Sequence, residues 1–136
     1  MAGHPEHIEF IMPETLASTP GYSQVVRVTG GQTIYLAGQV ALDAARNVVG
    51  RGDFRAQAEQ VFANINAALA AVGADFSHVV KLNMYVLDRS NLPVLREVRD
   101  RYINLDAPPA STLVEVRNLA QDDFLLEIEA IASIPA

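Results

Sequence analysis

The sequence predicts one α+β domain, in which two helices pack on one face of a mixed, mostly antiparallel sheet. Three observations lead to this prediction. The predicted elements run in the order short strand, hairpin, helix, strand, helix and two closing strands. Residues 53–72 place apolar side chains at three- and four-residue steps, as an amphipathic helix does, whereas residues 124–131 alternate with the period of two that is typical of a strand. The length of 136 residues suits a single domain over residues 1–136.

Three short apolar segments open the chain. Residues 4–12 predict a weak edge strand. Residues 22–28 and 33–37 predict two strands around Gly30-Gly31, and two central glycines are a strong signal for a β-hairpin. Gly38 follows the second of these strands. A glycine there permits close backbone approach, either to a ligand or to a neighbouring strand, and the local sequence favours neither interpretation.

The first helix is predicted over residues 53–72. Asp53 is a suitable N-cap, because its carboxylate can accept hydrogen bonds from the first turn, and Gly73 is placed to end the helix. The residues expected on its buried stripe are Phe54, Ala58, Val61, Phe62, Ile65, Leu69 and Val72. Gln57 and Asn66 interrupt this alanine-rich segment, and we expect both on the solvated face.

The strand–helix pattern then repeats. A strand over residues 79–87 would direct one set of side chains to the core, namely Val80, Leu82, Met84 and Val86. A second helix follows over about residues 92–104, with Pro93 tolerated in its first turn. Arg96 belongs to a basic neighbourhood that also contains Arg89, Arg99 and Arg101. The arginines either form a solvated face, or one of them faces a site.

Two strands, over residues 111–116 and 124–131, close the chain. In the second, Glu127 and Glu129 share a face with apolar residues, so each acid lies at a rim, is paired, or has a function. The sheet face without helices is expected to carry Tyr85, Leu87, Leu113, Leu125 and Ile131. Such a face is too apolar for exposure to water, which predicts an oligomer.

Composition excludes several classes of function. The chain has no cysteine, which excludes disulfides, thiolate metal sites and a cysteine nucleophile. Its net charge of −6 argues against a general nucleic-acid binder. No apolar run approaches the length of a membrane span, and the N-terminus lacks the pattern of a secretory signal, so we expect a cytoplasmic protein. His4 and His7 have no third ligand at a matching spacing, and no phosphate-binding loop is present, so neither a metal nor a cofactor is expected.

Short motifs in a fixed order add a family resemblance. They are Gly21-Tyr22-x-Gln24, Ala37-Gly38-Gln39, Gln57-Ala58 with Asn64, Pro109-Ala110 followed by Val114-Glu115-Val116, and the run EIEAIA that begins at Glu127. In order and spacing they resemble the RidA/YjgF reactive-intermediate deaminase family, also called the endoribonuclease L-PSP family. The resemblance covers residues 20–132.

The resemblance implies a chorismate-mutase-like fold, a homotrimer whose sheets close into a barrel, and ligand clefts between neighbouring subunits. It also implies water attack on a reactive enamine or imine, such as 2-aminoacrylate, with release of ammonia and a 2-keto acid. Glu127 would orient the water, and Tyr22 would complete the catalytic pocket. The residues expected to bind the substrate are Gly38, Arg96, Ser111, Thr112 and Leu113.

Ser111 stands where the family has an arginine that clamps the substrate carboxylate. A hydroxyl offers one neutral hydrogen bond, whereas a guanidinium forms a bidentate, charge-assisted pair. Arg96 stands where the second helix of the family often has asparagine, and it is the best substitute anion anchor. We therefore expect an imine deaminase with an altered substrate range, or alternatively a non-catalytic protein that binds a small metabolite on the same scaffold. Ribonuclease activity ranks below both.

Overall fold

The computed structural model describes residues 4–136. Its strands are β1 (Ile8–Ile11), β2 (Val25–Val28), β3 (Gln32–Gln39), β4 (Val79–Val86), β5 (Ala110–Glu115) and β6 (Leu126–Ile134). Its helices are α1 (Phe54–Ala70), between β3 and β4, and α2 (Leu92–Asp100), between β4 and β5. Within the described residues, no helix combines the length and the apolar character that crossing a bilayer requires.

The main sheet has four strands in the order β3-β6-β4-β5. β6 pairs antiparallel with β3 and with β4, whereas β4 and β5 pair in parallel across the α2 crossover. The predicted mixed, mostly antiparallel sheet is therefore confirmed. β1 and β2 form a separate antiparallel pair.

The predicted hairpin around Gly30-Gly31 is wrong. The two glycines adopt φ angles of 70° and 85°, as a tight turn requires, but the strands that they join belong to different sheets. β2 pairs with β1, and β3 pairs with β6. Burial explains the choice, because Leu36 of β3 lies opposite Ala130 of β6 and both side chains enter the core.

Both helices pack on one face of the main sheet, as predicted. The inward side chains of β4 and β6 are Leu82, Met84, Val86, Leu126, Ile128, Ala130 and Ala132, and all are buried. Val80 was expected among them, but the register shifts between Val79 and Lys81, which buries Val79 instead. The stripe of α1 is buried except for Val72, which lies beyond the end of the helix and is exposed.

The start of α1 is as predicted, since the Asp53 carboxylate accepts a hydrogen bond from the Ala56 N–H. The expectation that Gln57 is solvated is wrong, because its side chain is completely buried. Its amide donates to the carbonyl groups of Gly50 and Asp123 and accepts from the Leu125 N–H. A polar side chain on the core face of a helix is thus stabilised by two loops. Within residues 4–136 the Asp123 carbonyl and the Leu125 N–H have no other hydrogen-bond partner, whereas the Gly50 carbonyl also accepts from the Asp53 N–H at 3.0 Å.

The second helix is shorter than predicted and ends at Asp100 rather than near residue 104. The Arg99 carbonyl accepts hydrogen bonds from both Tyr102 and Ile103, which turns the chain and buries Ile103. The Tyr102 ring stacks on Phe62 of α1, with centroids 5.3 Å apart.

The sheet face opposite the helices, here called the outer face, carries both apolar and charged groups. Tyr35 is 77 % exposed there, opposite Ile131, and Glu127 and Glu129 lie on neighbouring positions of β6. The assignment of Leu113 to this face is wrong. Leu113 pairs with the inward residue Met84, and partners across a sheet point to the same side.

Candidate functional site

A cleft opens between α2 and β5 on the helix side of the sheet. It encloses about 300 Å³. Its polar lining consists of Tyr22, Arg96, Arg99 and Ser111, and the apolar lining includes Met84, Leu92, Leu95 and Leu113. Four residues that the sequence analysis selected as site residues, Tyr22, Arg96, Ser111 and Leu113, therefore lie around one cavity, and their role as ligand-binding residues stays a prediction.

Tyr22 reaches this cleft because its loop is attached to the segment that precedes β5. The Ser23 N–H donates to the Pro109 carbonyl at 3.0 Å, and the buried Ser23 hydroxyl donates to the Pro108 carbonyl at 2.7 Å. The Thr19 hydroxyl donates to the carbonyl of Tyr22 itself at 2.6 Å. These bonds place residue 22 beside Ser111, although the two are far apart in the chain.

Arg96 and Arg99 lie three residues apart on α2, so they share one face of the helix. Arg96 is exposed at the rim of the cleft, whereas Arg99 is buried deeper. Sequence reasoning singled out Arg96 and did not single out Arg99. The signal was available, because residue 99 follows the stripe residue Leu95 by four positions and so falls on the buried side of the helix.

Gly38 and Glu127 meet on the outer face. A β-carbon added to Gly38 would lie 2.2 Å from Glu127 Oε2, so the carboxylate occupies the space of the missing side chain. This contact explains why residue 38 is a glycine, which the local sequence did not settle. Within residues 4–136, the Glu127 carboxylate accepts no hydrogen bond, which leaves both oxygens available to a water molecule or a ligand.

Glu129, the next acid on this face, is engaged. The Tyr85 hydroxyl donates to Glu129 Oε1 at 2.5 Å. This hydrogen bond, with some burial and the negative charge of the carboxylate, raises the pKa of the Tyr85 phenol, so Tyr85 stays protonated at neutral pH. Thr112 also lies on the outer face, where its hydroxyl accepts from the Lys81 ammonium at 2.9 Å, and it does not line the α2–β5 cleft.

The predicted site residues thus form two groups in one chain. One group surrounds the α2–β5 cleft, and the other, with Gly38, Thr112 and Glu127, lies on the outer face of the same sheet. The sheet itself separates the two groups.

Comparison with known proteins identifies the family. The model of the family described as "Endoribonuclease L-PSP" matches residues 12–134. The chain belongs to the RidA/YjgF family. The protein DfrA of Myxococcus xanthus is 43 % identical over 111 residues, which cover 82 % of this chain and 83 % of DfrA. The 2-iminobutanoate/2-iminopropanoate deaminase of Dermatophagoides farinae is 34 % identical over 129 residues, covering 90 % of this chain and 98 % of the deaminase.

The fold of this RidA/YjgF protein also matches a solved member. The crystal structure of the Rid-family protein YyfB from Yersinia pestis superposes with a TM-score of 0.84 at 33 % identity, and the match covers 94 % of this chain and 99 % of YyfB. The two helices and the mixed sheet are therefore the family fold that the sequence resemblance implied.

Proposed function

We propose that this RidA/YjgF protein hydrolyses a reactive enamine or imine to a carbonyl compound and ammonia. An enamine first becomes the imine by gaining a proton at its β-carbon and losing one from nitrogen. Water then adds to the carbon of the C=N bond, the proton of the new hydroxyl moves to nitrogen, the C–N bond breaks and ammonia leaves. The observation that carries the proposal is Glu127, a carboxylate packed against Gly38 with no hydrogen-bond partner in the described chain. A free carboxylate can orient the attacking water and accept its proton. The relatives named as imine deaminases support this chemistry.

The proposal includes a homotrimer with clefts between subunits. In one chain the sheet separates Glu127 from Tyr22 and Ser111, so a second copy must bring the outer face of one subunit towards the cleft of its neighbour. The exposed Tyr35 and Val114 and the half-buried Ile131, on the outer face or near its edge, supply apolar area for such an interface.

We expect sedimentation velocity at micromolar concentration to give the mass of three chains. A Tyr35→Glu variant should shift the protein towards the monomer, because it places a charge at a position that the trimer buries. Tyr35→Phe, which keeps the ring, is the control and should remain trimeric. A parent protein that stays monomeric would contradict both the trimer and the interfacial site.

Substrate range is the second testable part. Ser111 supplies one hydrogen bond where an arginine would supply a charged pair, and losing a hydrogen bond to a charged group costs roughly 1.5–3 kcal/mol. We expect hydrolysis of 2-aminoacrylate to be about ten- to a hundredfold less efficient than in a family member that has the arginine. The rate of ammonia release from enzymatically generated 2-aminoacrylate measures this efficiency. Equal efficiency would show that the serine is no obstacle to this substrate.

The alternative is a non-catalytic protein that binds a small metabolite, and Ser111 is the observation that favours it. The same ammonia assay, extended to imines generated by an amino-acid oxidase from larger amino acids, separates the two. Hydrolysis of any member of this panel supports the enzyme. Binding of the corresponding keto acids without hydrolysis of any imine supports the alternative.

A further inference from the structure

The guanidinium of Arg99 is a nearly buried cation beside the α2–β5 cleft. Arg99 is 7 % exposed. Its Nε donates to Asp100 Oδ1 at 2.9 Å, and Nη2 lies 2.9 Å from the same oxygen. Nη1 has no partner within residues 4–136. Since a guanidinium has five N–H donors, one carboxylate oxygen leaves most of them available.

The loop before β2 holds this guanidinium in place. Gly21 adopts a φ of 79°, and a β-carbon there would lie 2.1 Å from Arg99 Nη2. The backbone of residue 21 therefore lies against the guanidinium, where a side chain would collide with it. The hydrogen bonds of Ser23 to Pro108 and Pro109 keep the loop in this position. A cation positioned in this way loses little further entropy when it binds an anion.

The charges around the cleft do not cancel. Arg96 and Arg99 are its only charged lining residues, and no carboxylate lines it within the described chain. Arg96 has no acid within ion-pair distance in residues 4–136, while Arg99 has Asp100 alone. With Asp100 offsetting one of the two arginines, the local charge is about +1, which one carboxylate would neutralise.

The remainder of the lining is apolar. Met84, Leu95 and Leu113 belong to it, and the short side chain of Ser111 leaves more space than a longer one would. A volume of about 300 Å³ accommodates a molecule larger than a three-carbon acid.

We propose that Arg99 is the anion-binding and specificity-determining residue of the α2–β5 cleft, and that its ligand is an acid with one carboxylate and a branched or extended apolar tail. The inference rests on the proposed function, in which that acid is the imine of a hydrophobic 2-keto acid. Arg96 contributes at the rim, where water screens its charge. The carboxylate of the ligand is thus bound by Arg99 on α2, and not by the residue at position 111 on β5.

Direct binding tests this without any turnover. The probes are 4-methyl-2-oxopentanoate, 2-oxoglutarate and the neutral ketone 4-methyl-2-pentanone, titrated into the 136-residue protein and followed by NMR. We expect the parent to bind 4-methyl-2-oxopentanoate most tightly. Arg99→Gln should weaken that binding by about ten- to a hundredfold and leave the ketone almost unchanged. Arg96→Gln should weaken it only a few fold.

Two further variants separate binding from a purely structural role. Asp100→Asn removes the carboxylate that competes for Arg99, so it should tighten binding of the acid several fold, which loss of structure could not do. Arg101→Gln is the control, because Arg101 is exposed and pairs with Glu59 and Glu97 away from the cleft, and it should bind like the parent. If Arg99→Gln and Asp100→Asn both retain the parent's affinity for 4-methyl-2-oxopentanoate, the assignment of Arg99 is wrong.

The outcome is independent of catalysis. A protein that binds the acid through Arg99 but hydrolyses no imine would overturn the proposed hydrolysis and leave this assignment standing. If instead the Arg99→Gln variant hydrolyses imines with the parent's preference for acids, the assignment of Arg99 is wrong and the proposed hydrolysis stands.

Discussion

A Gln57→Leu variant should lose about 3 kcal/mol of its free energy of unfolding. Leucine has a similar volume, so the cost comes mainly from the two backbone groups that lose their partner, the Asp123 carbonyl and the Leu125 N–H. The Gly50 carbonyl keeps its hydrogen bond from the Asp53 N–H. Each unsatisfied group costs roughly 1–3 kcal/mol, and part of this is recovered where water can reach the loops. Since a domain is stabilised by only about 5–15 kcal/mol, the loss should be evident in a urea titration.

Gln60→Leu makes the same substitution one turn away and is the matched control. Among the described residues, the Gln60 side chain donates only to Asn64 on its own helix, so we expect a change of less than about 1 kcal/mol. A Gln57→Leu variant whose urea midpoint and slope equal those of the parent would show that the Asp123 carbonyl and the Leu125 N–H do not depend on Gln57.

Glu127→Gln is expected to cause the largest loss of activity, about 10²- to 10⁴-fold in the rate of ammonia release, if Glu127 accepts the proton of the attacking water. Glutamine keeps the shape of glutamate and its contact with Gly38, but its amide cannot take up a proton at neutral pH. The loss should therefore fall on kcat, and KM should change little.

The neighbouring acid offers a matched comparison. In Glu129→Gln the new amide oxygen can still accept from the Tyr85 hydroxyl, so we expect activity within about tenfold of the parent. Equal losses in the two variants would point to a general effect of charge on the outer face. Full activity in Glu127→Gln would remove Glu127 from the chemistry and favour metabolite binding without catalysis.

Residues close in sequence determined much of this fold. The cap at Asp53, the buried stripe of α1 up to Leu69 and the alternation of β6 were predicted correctly, because helix and strand periods are local properties of the chain. The ordered short motifs also predicted the family. They placed Tyr22, Arg96 and Ser111 in one set of site residues, and the structure brings these three to the same cleft.

The tertiary structure decided which elements meet. β3 pairs with β6 and not with β2, Leu113 faces the helices, and Gln57 is buried between two loops. It also placed Arg99 under Gly21, which is 78 positions away in the sequence. These four arrangements have the same physical reason. A period shows which side chains share a face, but the partner of that face is chosen by burial and by backbone hydrogen bonds between segments that are distant in the sequence.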